Sequence, residues 1–323
     1  MIQINELYMQ RALQLARLGE IGAHPNPMVG AVLVDDATNR IIGEGYHRCC
    51  GQGHAEVNAV ADADRRANDV TAATLYVTLE PCAHYGKTPP CAQLIIDHRI
   101  PRVVIGTVDP FAKVQGRGIE MLRQAGVEVA MIGGELEQEC RALNVRFFTA
   151  HTLRRPYVVL KWAASADGFI DRRRTPSEPP TAFSTPATRM LVHRLRSTVD
   201  AIAVGSNTER MDRPRLDARF WPNGRAPHRV MFTSAEPLAE QLQRLYAAEG
   251  VTSLLVEGGA TLLNAFFSQG LWDELRVERS PIQLTDGVAE PQLPASAVEV
   301  ESVRIGANAL KTYKNIAKCS GFA

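Results

Sequence analysis

No run of about 18 apolar residues occurs in the chain, so no membrane-spanning helix is expected. There is no excess of positive charge either: 36 Lys+Arg stand against 35 Asp+Glu, a net charge of +1. A protein that tracks a long polyanion needs a basic face across many phosphates, and this balance provides no such footprint. Aromatic residues are few, at 6 %, which argues against a series of platforms for stacking bases. The N-terminal stretch MIQINELYMQRALQLARLGE carries charge among its apolar positions and does not read as a secretory signal. The expected compartment is the cytoplasm, where the six cysteines stay reduced. Reduced cysteines at meaningful spacing point to metal binding or catalysis rather than to disulfides.

What is present fits an ordinary globular enzyme. With 45 % hydrophobic and 22 % charged residues, the chain can bury a core, which excludes wholesale disorder. A length of 323 residues suggests two domains. Met9, Ala12, Leu13 and Ala16 recur at helical spacing. Strand-like runs at Val29–Val34, Ile41–His47, Leu75–Leu79 and Val103–Ile105 alternate with helix-like stretches at Ala55–Arg66, Ala92–His98 and Gly118–Gln124. That alternation predicts a layered α/β domain over 1–148. A linker is expected over 149–156, around Arg154-Arg155-Pro156. A second α/β unit follows over 157–323, with strands at Val158–Trp162, Ala201–Val204, Arg229–Phe232 and Ser253–Val256. Helices are expected at Thr188–Arg196, Leu238–Ala248 and Ala260–Phe267. The stretch 172–182, rich in arginine and proline, reads as an exposed loop.

The sharpest chemical signal is His54-Ala55-Glu56, followed by Glu80-Pro81-Cys82 and Cys91. One imidazole and two thiolates suit tetrahedral zinc, and three protein ligands leave a fourth position for water, the catalytic arrangement. Zinc lowers the pKa of such a water to about 7. Glu56 could then carry a proton from water to a leaving amine. This is the H-x-E…P-C-x-x-C pattern of zinc deaminases, with eight residues rather than two between the thiols. Both thiols are expected near a helix start, where the dipole favours thiolate. On an ideal helix His54 and Glu56 would diverge, so their convergence requires first-turn geometry. His84 could close the site as a fourth ligand, giving a structural zinc protein instead. Cys49 and Cys50 read as small core residues.

The runs PNPMVGAVLV, GEGYHRCCGQGHAEV, TLEPCAHYGKTPPC and DPFAKVQGRGIEMLRQAGVEV closely resemble the bifunctional deaminase–reductase family of riboflavin biosynthesis. The insert AHYGKTPP between the thiols is typical of that family and separates the chain from nucleoside and nucleic-acid deaminases. The resemblance covers 1–170 and continues more weakly to about 280. It implies a cytidine-deaminase-like three-layer domain followed by a dihydrofolate-reductase-like α/β domain. It also implies hydrolytic removal of the 2-amino group of 2,5-diamino-6-ribosylamino-4(3H)-pyrimidinone 5′-phosphate. His54, Cys82 and Cys91 become zinc ligands and Glu56 the proton shuttle. Asn26, His47, Lys87 and Thr88 become substrate-lining residues, Lys87 as a point charge for phosphate.

In the second domain, LKWAASADGFID, STPATRMLVHRLRSTVDAIAVGSNT and LLVEGGATLLNAFF resemble the family's reductase, which transfers hydride from NADPH to the ribose C1. The resemblance assigns Ala163, Thr208 and Asp212 to NADPH, and Lys161, Arg196, Leu216, Arg219 and Glu257 to substrate. Gly258-Gly259 before a helix offers bare backbone for a cofactor phosphate. Arg196 and Arg219 suit the substrate phosphate. Two departures stand out: Arg213 replaces the second Asp of the usual Asp-Asp-Pro, and the stretch around PHRVMFTSAEPL joins segments normally separated by a strand and loops. Residues 281–323 also fit the family poorly. An alternative reading is therefore a deaminase with a non-catalytic second domain. The expected partners are a small phosphorylated pyrimidine and further copies of the chain, with neither nucleic acid nor membrane.

Overall fold

Strand β1 (Gly30–Asp35) is buried along nearly its whole length, which demands cover on both faces of its sheet. The computed structural model supplies that cover. It describes residues 4–85, 89–111 and 115–316 and falls into two units, Met1–Leu153 and Arg154–Ala323. In the first, β1 lies between β2 (Arg40–Tyr46) and β3 (Ala73–Val77), antiparallel to both. Strands β4 (Arg102–Ile105) and β5 (Glu128–Met131) extend the sheet parallel to β3, in the order β2-β1-β3-β4-β5. Alternation along β1 splits its side chains between two cores. Val32 and Val34 join Met9, Ala12 and Leu13 of α1 (Glu6–Arg17) and Leu136 of α5 (Gly134–Leu143). Ala31 and Leu33 join the opposite core, formed with α2 (Ala55–Arg65), α3 (Cys91–Asp97) and α4 (Arg117–Gln124). This is the three-layer arrangement that the family resemblance implies.

Helix α6 (Val145–Leu153) closes the unit, so the segment expected to be a linker, 149–156, is helical up to residue 153. Phe148, Thr149 and Ala150 are buried, and that apolar face holds the backbone in the helix despite its polar neighbours.

The second unit has a seven-stranded sheet, built on β6 (Tyr157–Ala164), β8 (Ala201–Gly205), β9 (His228–Phe232), β10 (Ser253–Val256) and β11 (Glu274–Arg279). These run parallel in the order β11-β6-β10-β8-β9. The remaining strands of the sheet come from the C-terminal tail, expected to fit the family poorly: β13 (Ala297–Ile305) and β14 (Asn308–Asn315) form an antiparallel hairpin on β11, and the family match extends over β13. A small ribbon pairs β7 (Phe169–Asp171) with β12 (Val288–Ala289). Helices α7 (Pro186–Ser197), α8 (Ser206–Asp212), α9 (Leu238–Glu249) and α10 (Ala260–Ser268) connect the strands. Strand β9 is a sheet edge, and residues 233–237 lead from it directly into α9.

Candidate functional site

Two glycines position the first site. A Cβ on Gly43 would lie 2.4 Å from Ala59 O, and one on Gly45 would lie 2.3 Å from Ala59 N and 2.4 Å from Ala55 O. Strand β2 and helix α2 therefore approach to backbone contact, with only alanines between them. This fixes the start of α2. His54 is its N-cap residue, with extended backbone (φ −69°, ψ 177°), and Glu56 sits in the first turn. The divergence expected of residues two apart on a helix does not arise, because His54 is outside the helix. Asn58 ties the approach loop down by donating to Tyr46 O and Gly53 O.

Cys91 opens α3. Cys82 does not sit at a helix start: it lies in the loop after β3 and is joined to that start through space, since its Sγ accepts the Cys91 N–H at 3.3 Å. His54 Nδ1 is 3.3 Å from Cys91 Sγ and 3.6 Å from Cys82 Sγ. Among the described residues these three form the one cluster able to hold a metal ion, their donor atoms all within 4.8 Å of one another. His84 is not a member; its ring packs edge-on against Phe111.

The donors of the cluster strongly perturb one another's protonation. The Cys82 thiol is drawn down to about 4, first by its hydrogen bond with Cys91 and, against burial, by His54. His54 is raised to about 9, chiefly by the Cys82 hydrogen bond. Cys91 is pushed up, first by sharing a hydrogen bond with Cys82 and then by burial. Glu56 is 3 % exposed, and burial lifts its carboxyl to about 7. Its Oε2 is buried without a hydrogen-bond partner, a costly state for a polar atom unless a ligand meets it. A His/Cys/Cys donor set with an orphaned carboxylate oxygen beside it fits zinc.

His47, 2 % exposed, packs edge-on against His54 with ring centroids 5.1 Å apart. Asn26 Nδ2 donates to His47 Nε2 at 3.2 Å, so Nδ1 carries the ring proton and faces Gly53 O at 3.3 Å. Burial lowers the His47 pKa and keeps the ring neutral. Asn26 and His47 thus border the cluster, while Lys87 and Thr88 lie outside the described residues. Cys49 and Cys50, expected in the core, are exposed: they sit on the turn before Gly53, whose backbone is tied to Gly22 instead.

Sequence reasoning missed Glu80. Its buried carboxylate accepts four backbone N–H groups, from Asp109 and Gly116 on Oε2 and from Gly118 and Ile119 on Oε1, at 2.9–3.3 Å. It caps α4 and anchors the loop that carries Cys82. Glu-Pro-Cys was legible as a motif, but the glutamate's partners are 29 to 39 residues away.

Two of the second unit's cavities include residues expected at its site. One, of about 340 Å³, gathers Lys161, Arg196, Leu216 and Arg219, with Arg189 and Arg215, which the sequence analysis had not singled out. Arg196 is not free for a phosphate: it forms a two-point ion pair with Glu257 at 2.7 and 2.8 Å and also donates to Asp217 O. Arg219 is paired with Asp217. The other cavity, a cleft of about 840 Å³, runs along the ends of β8 and β9 and the start of α10, and includes Thr208 and Gly259. Gly258 adjoins it. Gly205 and Gly259 both line the cleft with negative φ, and a Cβ on either would meet nothing nearer than 3.6 Å. Neither backbone strain nor internal packing requires glycine there, whereas close approach of a phosphate to a helix N-terminus does. These features fit a dinucleotide. Ala163 and Asp212 stand outside the cleft lining. Ala163 is on β6, two strands from β8, and the Asp212 carboxylate is bound by Arg174.

Residues 2–107 match the family model of the cytidine and deoxycytidylate deaminase zinc-binding region. Residues 156–241 and 237–304 match the RibD C-terminal domain in two pieces. The chain is 35 % identical over 345 aligned residues to riboflavin biosynthesis protein RibD of Aquifex aeolicus (strain VF5), covering 94 % of each chain. Its structure is similar to a diaminohydroxyphosphoribosylaminopyrimidine deaminase/5-amino-6-(5-phosphoribosylamino)uracil reductase from Thermotoga maritima, with a TM-score of 0.83 and 33 % identity over 96 % of this chain and 98 % of that one. It is also similar to Acinetobacter baumannii RibD, with a TM-score of 0.84 and 30 % identity over the same shares.

Proposed function

The chain belongs to the RibD family of riboflavin-biosynthesis enzymes, a zinc-dependent deaminase joined to a reductase, and from that premise we propose how its residues divide the work. His54 Nδ1, Cys82 Sγ and Cys91 Sγ hold zinc in the first unit. When bound, zinc polarises water and lowers its pKa into the neutral range. Glu56 takes the proton of the attacking water at Oε2 and delivers it to the departing 2-amino group, so that water adds oxygen and ammonia leaves. A carboxyl lifted to about 7 by burial is matched to that double task at neutral pH. Asn26, fixed by His47, directs its amide oxygen to the pyrimidine, and the substrate is the phosphorylated diaminopyrimidine for which the Thermotoga maritima enzyme is named.

The second unit reduces the ribosyl group. The cleft at Gly205, Thr208 and Gly259 holds NADPH, and the cationic cavity beside Lys161 receives the phosphorylated product of the first step. Arg196 positions Glu257 rather than gripping phosphate; Arg189 and Arg215, which have no ion-pair partner among the described residues, supply positive charge for that role. The homo-oligomer expected from the resemblance is checked by sedimentation of the purified chain.

One observation carries the deaminase assignment: the unpartnered Glu56 Oε2 beside three converging zinc donors. The test is mass spectrometry of products from the diaminopyrimidinone ribotide, with and without NADPH. Amine-to-oxo exchange in both tubes, with two hydrogens added only with NADPH, supports both activities. Exchange without any added hydrogen leaves the deaminase and removes the reductase.

A further inference from the structure

The two pieces of the C-terminal family match meet at 237–241, where β9 turns into α9, and this junction faces the cofactor cleft. The direction of the bound dinucleotide follows from the strand order β6-β10-β8-β9. The substrate cavity takes Lys161 from β6 and Arg196, which is bound to Glu257 at the end of β10. Hydride must pass from nicotinamide to substrate, so the nicotinamide would lie toward β6. With the pyrophosphate at Gly259 and Thr208, the adenosine half would extend toward β9 and meet residues 233–238.

No lysine or arginine is among the described residues lining this cleft, and its one ionisable group is Glu236. The turn bearing Glu236 is fixed. Gln241, 3 % exposed, accepts from Thr233 N–H and donates to Thr233 O and Glu236 O. Arg244 pairs with Glu236 but is itself outside the lining. The positive end of α9 is already met by Glu236, just ahead of the helix, and by Glu240 in its first turn. A 2′-phosphate would bring up to about two more negative charges to this place. A plain ribose would bring a 2′-hydroxyl, which can donate to a carboxylate.

We infer that the cleft does not select for the 2′-phosphate and that NADH binds it at least as tightly as NADPH, with Glu236 as the discriminating residue. This rests on reading the second unit as the reductase. The test uses the full-length, zinc-loaded protein and follows tryptophan emission during titration with NADH and with NADPH. The expected dissociation constant for NADH is equal to or below that for NADPH. Glu236→Gln should move the ratio toward NADPH at least threefold, and Glu236→Lys at least tenfold, with deamination unchanged in both. Tighter binding of NADPH by the unmodified protein, or a ratio indifferent to both substitutions, overturns the inference while leaving the reductase in place. Failure of both nucleotides to bind overturns the reductase reading and this inference with it.

Discussion

Glu56 and Glu80 are both buried glutamates, yet their surroundings give them opposite work. Glu80 has every lone pair directed at backbone N–H groups, whereas Glu56 keeps one oxygen unmet. Glu56→Gln should retain stoichiometric zinc and lower the deamination rate by about 10²- to 10⁴-fold, the usual contribution of a positioned acid–base group. Zinc content by atomic absorption, measured beside the rate, checks it, and full activity would end the shuttle assignment. Glu80→Ala should act indirectly, by freeing the loop that carries Cys82. A loss of about 10- to 100-fold in zinc affinity is expected, typical for a group that holds a ligand in place. Competition with a chromophoric chelator measures it, and unchanged affinity would reduce Glu80 to a helix cap.

In the first unit β2 and α2 approach to backbone contact, and the metal site depends on that distance. Gly45→Ala would place a methyl against backbone on α2. The helix must then shift, at a cost of about 1–3 kcal/mol for overpacking, and its first turn shifts with it. The expected result is a lower melting temperature together with reduced zinc content; a cooler melt with full zinc loading would show that the helix start is held by other means. In the second unit, α7 and the end of β10 are joined by Arg196 and Glu257. Burial pushes the Glu257 carboxyl up, but the Arg196 hydrogen bonds and charge outweigh it and hold the group below its usual range. The pair's contribution is therefore complete above the ordinary carboxylate value of about 4.3 and is lost as pH falls through the lower folded value. In Arg196→Ala burial is opposed only by the weaker attractions of Lys161 and His193, so the sign should reverse: stability should fall as pH rises from about 4 toward neutrality. Breaking a buried pair costs about 3–5 kcal/mol. Melting curves between pH 4 and 8 test this, and parallel pH profiles for the two proteins would contradict it.

At the scale of the whole molecule, two units carry two chemistries with separate requirements. Metal binding is coupled to folding where the ligands come from distant segments. Chelation should therefore abolish deamination and lower the melting transition of the first unit, while nucleotide binding by the second persists. Calorimetry of the metal-free protein, with a parallel nucleotide titration, distinguishes this from a metal requirement shared by both units.

His54-Ala-Glu56, Glu80-Pro-Cys82 and Cys91 were legible in the sequence because ligand chemistry is a property of residue type and spacing. Strands β1–β4, β6 and β8–β10 and helices α1–α4, α7, α9 and α10 were legible because apolar periodicity reflects burial on a known face, whereas β5, β11, α5, α6 and α8 were not. The sequence alone thereby determined the family and named the candidate metal donors and the proposed acid–base group. Only the tertiary structure decided that His54 caps α2 instead of lying within it, that Glu80 caps α4, that Arg196 is committed to Glu257, and that the tail forms a hairpin on the second sheet. Strand β13 is almost wholly exposed and β14, though buried to half-buried, lacks clean alternation, so no periodicity announced them. The other three are settled by contacts between residues 29 to 61 positions apart or by a helix boundary. Local propensity has no access to such distances, because which polar groups meet is fixed only once burial has closed the chain around them.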